Sequence, residues 1–541
     1  MQRIPMTDYQ EAYEAFRWEL PATFNFGTDV VDAWAAERPE QAAVLWSDGD
    51  RNRRRLSFAE VARMTDRLGL ALRRAGIEKG DRVLIMLPRL PEWQIATVAA
   101  LKIGAVPLPC IEMLTEKDVA YRCENAGVRG LIVSEAQVGK FARQAGIAAR
   151  FVVGEAPGWT SVAPILEAGP DALEPAVVAI GDPAILFYTS GSTGNPKGVL
   201  HDAASLFAWR VSAWYWLDLT ADDVMWCTAD TGWAKAGTSA LFGPWSCGAT
   251  TVLHHGPFDA AGRFEILARE GVTVFCAAAT ELRRLVLQET AAHDLSRLRL
   301  TVSAGEQVNP EIVQAWRRLT GVPLLDGYGQ TETLMTILNY PALPVRPGSM
   351  GKPVPGTAAI VLDEAGRPQR TGAPGELAIA LPNPQFMSGY WQDPERTEAT
   401  LIEVEGRRYF KTSDRVRMDA EGYLYHEGRS DDVINSAGYR IGPMEVENAL
   451  AEHPAVAESA AVASPDPERG EVVKAFVVLK PGHSGDQAMV EALQAHCKQV
   501  TGPYKYPRRI AFAEDLPKTP TGKIQRNVLR AQEFAAAKAE G

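Results

Sequence analysis

Cysteine is scarce and scattered: six residues, Cys110, Cys123, Cys227, Cys247, Cys276 and Cys497, in a chain of 541. None forms a Cys-x-x-Cys pair or has a histidine at zinc spacing, which argues against a disulfide scaffold and a structural zinc site. Buried free thiols in a reducing compartment are the expectation. Long apolar runs are missing too: none approaches the ~18 residues of a membrane span. The start, Met1-Gln-Arg-Ile-Pro-Met-Thr-Asp8, lacks the apolar core of a signal peptide. A soluble, cytoplasmic protein is expected. Basic blocks are also lacking, with 56 Lys and Arg against 67 acidic residues and a net charge of −11. That balance argues against nucleic acid as a partner, while leaving room for a local basic pocket that holds an anion. No internal repeat or low-complexity block is visible.

What is present is ordinary globular material, 46% hydrophobic and 23% charged, and too long for a single core. Strand candidates at Asp81–Leu87, Val106–Pro109 and Gly130–Val133 alternate with helical stretches at Leu56–Leu72, Pro91–Leu101 and Tyr121–Ala126. The alternation resumes with strands at Asp223–Cys227, Val272–Cys276, Leu298–Val302 and Pro323–Leu325. Each is read as entering a loop and then a helix. This pattern predicts doubly wound parallel sheets, which bind ligands at the carboxyl ends of their strands. From about Tyr340, short strands at Ala358–Leu362 and Gly375–Ala380 among frequent Pro and Gly predict a small β subdomain. Beyond Asp431 lies a compact α+β module, with helices at Pro443–His453 and Met489–Val500 and a helical tail from Ile524. Its expected strands are Ala457–Ala463, Val472–Leu479 and Arg509–Phe512. The first forty residues lack a clear period; Phe24, Phe26 and Trp34 are expected to pack that arm onto the body.

The stretch around which the rest is organised is Tyr188-Thr-Ser-Gly-Ser-Thr-Gly-Asn-Pro-Lys-Gly198. It follows the apolar run Ala184–Phe187, a buried strand. Val199, Leu200 and the segment from Leu206 to Val211 are read as the start of a helix. Glycines let a backbone approach a ligand, hydroxyls add donors and lysine adds a point charge, which together suit a polyphosphate. The spacing is not that of a Walker A loop.

These residues resemble the phosphate loop of the adenylate-forming superfamily, and later stretches sharpen the resemblance to acyl-CoA synthetases, nearest the medium-chain group. It covers about residues 50 to 530 and is weakest in the first forty residues and the acyl pocket. The resemblance implies an N-terminal AMP-binding domain over 1–430, with two doubly wound sheets and a β subdomain, and a mobile C-terminal domain over 431–541. It assigns ATP to Thr189, Ser190, Gly191, Ser192, Thr193, Gly194 and Lys197. In Leu325-Asp-Gly-Tyr-Gly-Gln-Thr-Glu332 it implies ATP contacts at Asp326 and Gly327, an adenine stack at Tyr328, a phosphate contact at Thr331 and a Mg²⁺ carboxylate at Glu332. Gly305 and Glu306 would line the adenine from the other side, Asp414 would take the ribose hydroxyls, and Arg429 a phosphate. Lys523, in Pro517-Lys-Thr-Pro-Thr-Gly-Lys-Ile-Gln-Arg526, falls on the catalytic lysine that bridges carboxylate and α-phosphate. Asp431 matches the hinge, and Ser436, Gly438, Arg440, Arg469 and Lys505 the CoA-facing surface. Trp233, Ala278, Ala279 and Gly329 match acyl-pocket walls. Acetate enzymes carry tryptophan where Gly329 stands, so a void deepening the pocket is expected there.

The implied activity is an ATP- and Mg²⁺-dependent ligase. It joins a short- to medium-chain monocarboxylic acid to CoA through an acyl-adenylate, with release of pyrophosphate and then AMP. The rivals are an enzyme loading a carrier protein, a luciferase-like oxidase of the adenylate, a nucleotide sensor, and a ligase for aryl, branched or thioether acids. A homodimer is left open.

Overall fold

The structure, a computed structural model, describes the chain apart from residues 2, 50–51, 145, 169–172, 190–195, 289–292, 430–431, 433, 437–438, 467–468, 502–504, 519–523 and 541, and apart from the side chains of 435, 439–440 and 537–540. The apolar runs at the predicted strand positions, together with strands not predicted such as Ala42–Ser47, Arg53–Ser57, Ala149–Val153 and Thr250–His254, pair among the described residues into five sheets. The largest runs in the order Lys352–Pro353, Leu334–Leu338, Leu324–Gln330, Leu300–Ala304, Val274–Cys276, Val224–Cys227, Thr250–His254, Ala42–Ser47 and Arg53–Ser57. Its middle is parallel and its two ends antiparallel. A second, all-parallel sheet is built from Val106–Pro109, Arg82–Met86, Val128–Ser134, Ala149–Val153 and Thr160–Ser161.

The helix Pro91–Lys102 follows the second sheet's strand Arg82–Met86, and every one of its residues is buried. Gln94 Nε2 donates to Thr251 Oγ1 of the first sheet at 3.0 Å. A helix buried on all sides must be wrapped on all sides, and here the helix Phe58–Arg74 joins the two sheets in supplying the wrapping. Lys102, at its last turn, is fully buried and paired with Asp32 and Asp66, each at 2.6 Å. The N-terminal arm gains order from the body. Tyr9 OH and Trp18 Nε1 donate to the carbonyls of Pro353 and Gly356, each at 2.8 Å. Phe24 and Phe26 pack edge-on to Phe207 and Phe242.

Two expectations need correction. Val199 and Leu200 do not begin a helix. They lie in the strand Lys197–Asp202, which returns antiparallel to Pro183–Thr189. The helix starts only at Ala203, where the Asp202 side chain accepts from Ser205 N at 3.0 Å. The segment after Pro323 does not run into a helix either. Leu324–Gln330 continues as a strand through the Tyr328 motif and turns back as Leu334–Leu338. In both places the chain finds a neighbouring strand to pair with, a long-range option that local pattern does not report.

The β subdomain pairs Ala359–Leu362, Pro374–Ala380, Arg407–Met418, Leu401–Val404 and Leu424–Arg429. The strands Ile434–Ser436, Tyr439–Ile441, Val456–Asp466, Gly470–Leu479 and Arg509–Phe512 form a sheet of their own. The helices Pro443–Ala451, Gln487–Val500 and Arg526–Glu540 accompany it. Among the described residues no helix is long and apolar enough to cross a membrane.

Candidate active site

The loops at the carboxyl ends of the parallel strands are tied to one another. Thr228, after Val224–Cys227, donates its backbone N–H to Cys276 O and its hydroxyl to Glu281. Lys235 Nζ reaches Ala304 O at 3.0 Å, and Thr280 N donates to Glu306 Oε2 at 3.3 Å. Val308 N and Gly327 N both donate to the buried Asp326 carboxylate. Burial pushes that acid up to about 7, against the pull of the two N–H groups and of Lys235. Asp326 thus ties the loop after Leu300–Ala304 to its own strand.

Two charged clusters face this rim. In the first, Lys197 Nζ stands 2.8 Å from Glu332 Oε1 and 2.7 Å from Tyr390 OH. The Tyr390 hydroxyl donates to the same carboxylate oxygen at 2.9 Å. Strand register sets Thr189 opposite Lys197 across the hairpin. The Thr189 Oγ1 is buried and has no partner among the described residues, and the same holds for Ser303 Oγ. Beneath Glu332, the buried His201 holds the Thr331 carbonyl through Nε2 at 2.6 Å. Burial lowers the His201 pKa to about 4, so the ring is neutral and Nε2 is the donor.

The second cluster centres on Asp414, 5% exposed. Its Oδ2 accepts from Tyr328 OH and from Gln330 Nε2, each at 2.6 Å. Its Oδ1 faces His426 Nε2 at 3.5 Å and Arg429 at 3.6 Å, the latter its cross-strand partner. Burial alone would raise this acid; the hydrogen bond and charge of His426, the charge of Arg429 and the Tyr328 hydroxyl outweigh it and hold the carboxyl below its ordinary value. Tyr328, Gln330 and Glu332 come from one continuous stretch, so a single strand and its turn feed both clusters.

The remaining positions divide. Gly305 has φ +89° with open space where a Cβ would point. Trp233, half-buried, precedes a short turn of helix, and Ala278 and Ala279 begin the helix Ala279–Leu285. Gly329 departs from expectation. A Cβ there would lie 1.8 Å from Leu334 O, inside the backbone of its own hairpin partner. The strand carries a register shift between Tyr328 and Gly329, and glycine allows the two chains to close over it. Gly329 therefore opens no void. Ser436 is buried opposite Gly470, next in the chain to the exposed Arg469. Lys505 pairs with Glu445 at a cavity of about 610 Å³ that is also lined by Arg415, Arg417 and Glu427. Ser190, Gly191, Ser192, Thr193, Gly194, Asp431, Gly438 and Lys523 lie outside the described residues, as does the Arg440 side chain. The loop bearing Lys523 is closed at its base by a Lys518–Ile524 bridge, and the following Arg526 feels the charge of Glu306. Sequence reasoning missed Tyr390, Gln330, His201 and His426. Gln330 stands inside the Leu325–Glu332 motif, whereas Tyr390, His201 and His426 stand in no stretch whose pattern announces a site.

The model of the AMP-binding enzyme family matches residues 31–391, and that of the AMP-binding enzyme C-terminal domain matches residues 445–523. The chain belongs to the AMP-binding enzymes. Within the family it stands among acyl-CoA synthetases. It is 40% identical to mouse mitochondrial acyl-coenzyme A synthetase ACSM3, over 98% of this chain and 94% of the relative. It is 41% identical to the Bacillus subtilis acyl-CoA ligase YtcI, over 95% and 97%. Among solved structures, the anthranilate CoA ligase AuaEII with anthranoyl-AMP superposes with a TM-score of 0.88 at 31% identity, over 96% of this chain and 99% of that one. The acyl-CoA synthetase of Brucella canis gives 0.73 at 35%, over 98% and 99%. As an AMP-binding enzyme the chain uses ATP and CoA as substrates of an acid–thiol ligase reaction.

Proposed function

We propose that this chain activates a short- to medium-chain monocarboxylic acid and transfers it to CoA, with residues 1–430 forming the ATP-binding body and residues 431–541 the domain that moves. The observation that carries the assignment of the site is the Lys197–Glu332 pair beside the unpartnered Thr189 hydroxyl. A buried polar atom without a partner costs stability, and a phosphate oxygen supplies the missing partner. Lys197 and Thr189, with the loop 190–194, hold the polyphosphate. Asp414 keeps an ionised carboxylate for the ribose hydroxyls, and Tyr328 with Gly305 and Glu306 frames the adenine. Arg429 adds a phosphate contact.

The donor set suits Mg²⁺ carried on the nucleotide. Glu332 gives one oxygen to Lys197 and Tyr390 and retains the other, and Thr331 adds a hydroxyl. A single carboxylate with substrate phosphates is the usual environment of that ion. When bound, the ion neutralises phosphate charge. The acid's carboxylate oxygen attacks the α-phosphorus, and the bond to the bridging oxygen of pyrophosphate breaks. Lys523 faces the negative charge that develops there. Rotation about Asp431 then withdraws Lys523 and presents Ser436, Gly438, Arg440, Arg469 and Lys505 to CoA. The CoA thiolate attacks the acyl carbonyl and AMP departs with the bonding pair; the thiol proton goes to solvent. The six buried free thiols support a reducing compartment such as the cytoplasm.

An aryl acid is the second reading, favoured by the likeness to an anthranilate ligase. One experiment addresses both: kcat/KM over acetate to decanoate, benzoate and anthranilate, with pyrophosphate, AMP and thioester measured with and without CoA. A maximum between propionate and octanoate, with thioester equal to AMP, is expected. A maximum at benzoate or anthranilate replaces the acid, and AMP without thioester overturns the ligase assignment.

A further inference from the structure

The segment 387–391 is a strap between the strand that supplies Lys197 and the turn that supplies Glu332. Met387 N donates to Glu332 O, Ser388 N to Leu200 O and Trp391 N to Gly198 O, each at 2.8 Å. The short strand Gly389–Tyr390 pairs antiparallel with Val199 and Leu200 of the hairpin. Gly198 lets the strap come close, since a Cβ there would stand 2.9 Å from the Trp391 Cβ. The strap thus bonds Glu332 on one side and the Lys197 strand on the other, and its Tyr390 side chain, 7% exposed, points between them.

Tyr390 meets both charges at once. Its hydroxyl accepts from Lys197 and donates to Glu332, and its ring lies 4.3 Å from Lys197 Nζ. Burial and the Glu332 charge raise its pKa, so the phenol keeps its proton and remains a donor. A Lys–Glu pair this sheltered has a cost when opened, because each group loses its counter-charge away from bulk water. Nucleotide with Mg²⁺ would draw the pair apart: Lys197 would turn to phosphate, while Glu332 would offer the metal its second oxygen.

We propose that Tyr390 is a positioning residue that lets the Lys197–Glu332 pair open for Mg²⁺-nucleotide. Its hydroxyl keeps a hydrogen bond on Glu332, and its ring keeps a cation–π contact on Lys197, as the direct bond is given up. Removing the hydroxyl takes from Glu332 the hydrogen bond it would keep when it turns to the metal, while the ring keeps its contact with Lys197.

This rests on the reading of Lys197 and Glu332 as the nucleotide pair. The test is calorimetric binding of a non-hydrolysable ATP analogue with and without Mg²⁺ to wild type, Tyr390→Phe, Glu332→Gln and the double variant, with thermal unfolding of each. Tyr390→Phe is expected to weaken Mg²⁺-dependent binding roughly three- to ten-fold, to leave Mg²⁺-free binding and the acid KM within two-fold, and to unfold near the wild-type temperature. In the Glu332→Gln background the same change is expected to have no further effect on Mg²⁺ dependence, since the charge it acts through is gone. Equal weakening with and without Mg²⁺, or an undiminished effect in the double variant, overturns the inference and leaves Tyr390 a packing residue. If Tyr390→Phe does not fold, the strap is structural and the inference is likewise overturned. Unaltered Mg²⁺-nucleotide binding in Glu332→Gln alone would instead overturn the reading of the pair.

Discussion

His201 shows how one buried ring supports a site it does not enter. Its imidazole is fully buried, and Nε2 holds the Thr331 carbonyl, one residue before Glu332. Burial disfavours the charged ring, so the folded pKa of about 4 lies below the ordinary 6.5. Between these values the unfolded chain binds the extra proton and the native chain does not. The stabilisation is therefore complete above pH 6.5 and is lost as pH falls towards and through 4. The span corresponds to about 3 kcal/mol. His201→Gln keeps an N–H for the carbonyl and does not titrate. Denaturant unfolding between pH 4 and 7 is expected to show a shallower slope for the variant by about that amount. Parallel slopes would place the acid sensitivity elsewhere, for instance at His254, whose pKa is also lowered to about 4.

At the scale of elements, the site is made by two antiparallel returns. One is the hairpin of Pro183–Thr189 and Lys197–Asp202, and the other is the turn from Leu324–Gln330 to Leu334–Leu338. The second leaves no room at Gly329, where a Cβ would fall 1.8 Å from a backbone oxygen that cannot swing aside. Gly329→Ala is expected to push the two strands apart and to cost about 1–3 kcal/mol of stability or more. Because Tyr328, Gln330 and Glu332 ride on the same strand and turn, kcat/KM should fall alike for acetate, butyrate and octanoate, with KM for ATP raised. Selective loss of the longer acids would restore Gly329 to the acyl pocket. The motif was legible as residues but not as geometry. Gly-Tyr-Gly reads locally as a turn, and only the neighbouring strands Leu300–Ala304 and Leu334–Leu338 make it extended. The strap at 387–391 was illegible for the same reason. Its partners lie about 190 and 55 residues away in sequence, and no periodicity encodes such pairings.

At the scale of the whole molecule, described residues of the large domain meet those of the small one at specific points. Arg283 NH1 lies 3.3 Å from Glu458 Oε1, and Glu458 Oε2 in turn holds Lys518 at 2.8 Å, at the base of the loop that bears Lys523. Gly442 stands against the body: a Cβ there would come within 2.4 Å of Glu427 O. Gly442→Ala should therefore exclude this arrangement of the domains while leaving each able to fold. Under the proposed alternation, with this arrangement taken as the adenylating one, adenylation, followed as pyrophosphate exchange, is expected to fall about ten- to hundred-fold, the scale of a displaced catalytic group. Thioester formation from supplied acyl-adenylate should change little. Equal loss in both assays would mean that the contact serves both steps.

The sequence by itself determined the chemistry on offer and the type of most elements. Glycine-rich, hydroxyl-rich and lysine-bearing stretches are local facts, and strand–helix alternation is written in the spacing of apolar residues. It also carried the family, because Tyr188–Gly198, Leu325–Glu332 and Pro517–Arg526 are contiguous motifs. Only the tertiary structure decided that Lys197–Asp202 is a strand returning on Pro183–Thr189, that Gly329 is faced by backbone, and that Tyr390 and His201 support Lys197, Thr331 and Glu332. Each of these depends on a partner distant in the chain. Pairing across strands and the desolvation of a side chain arise only once the chain has closed around it.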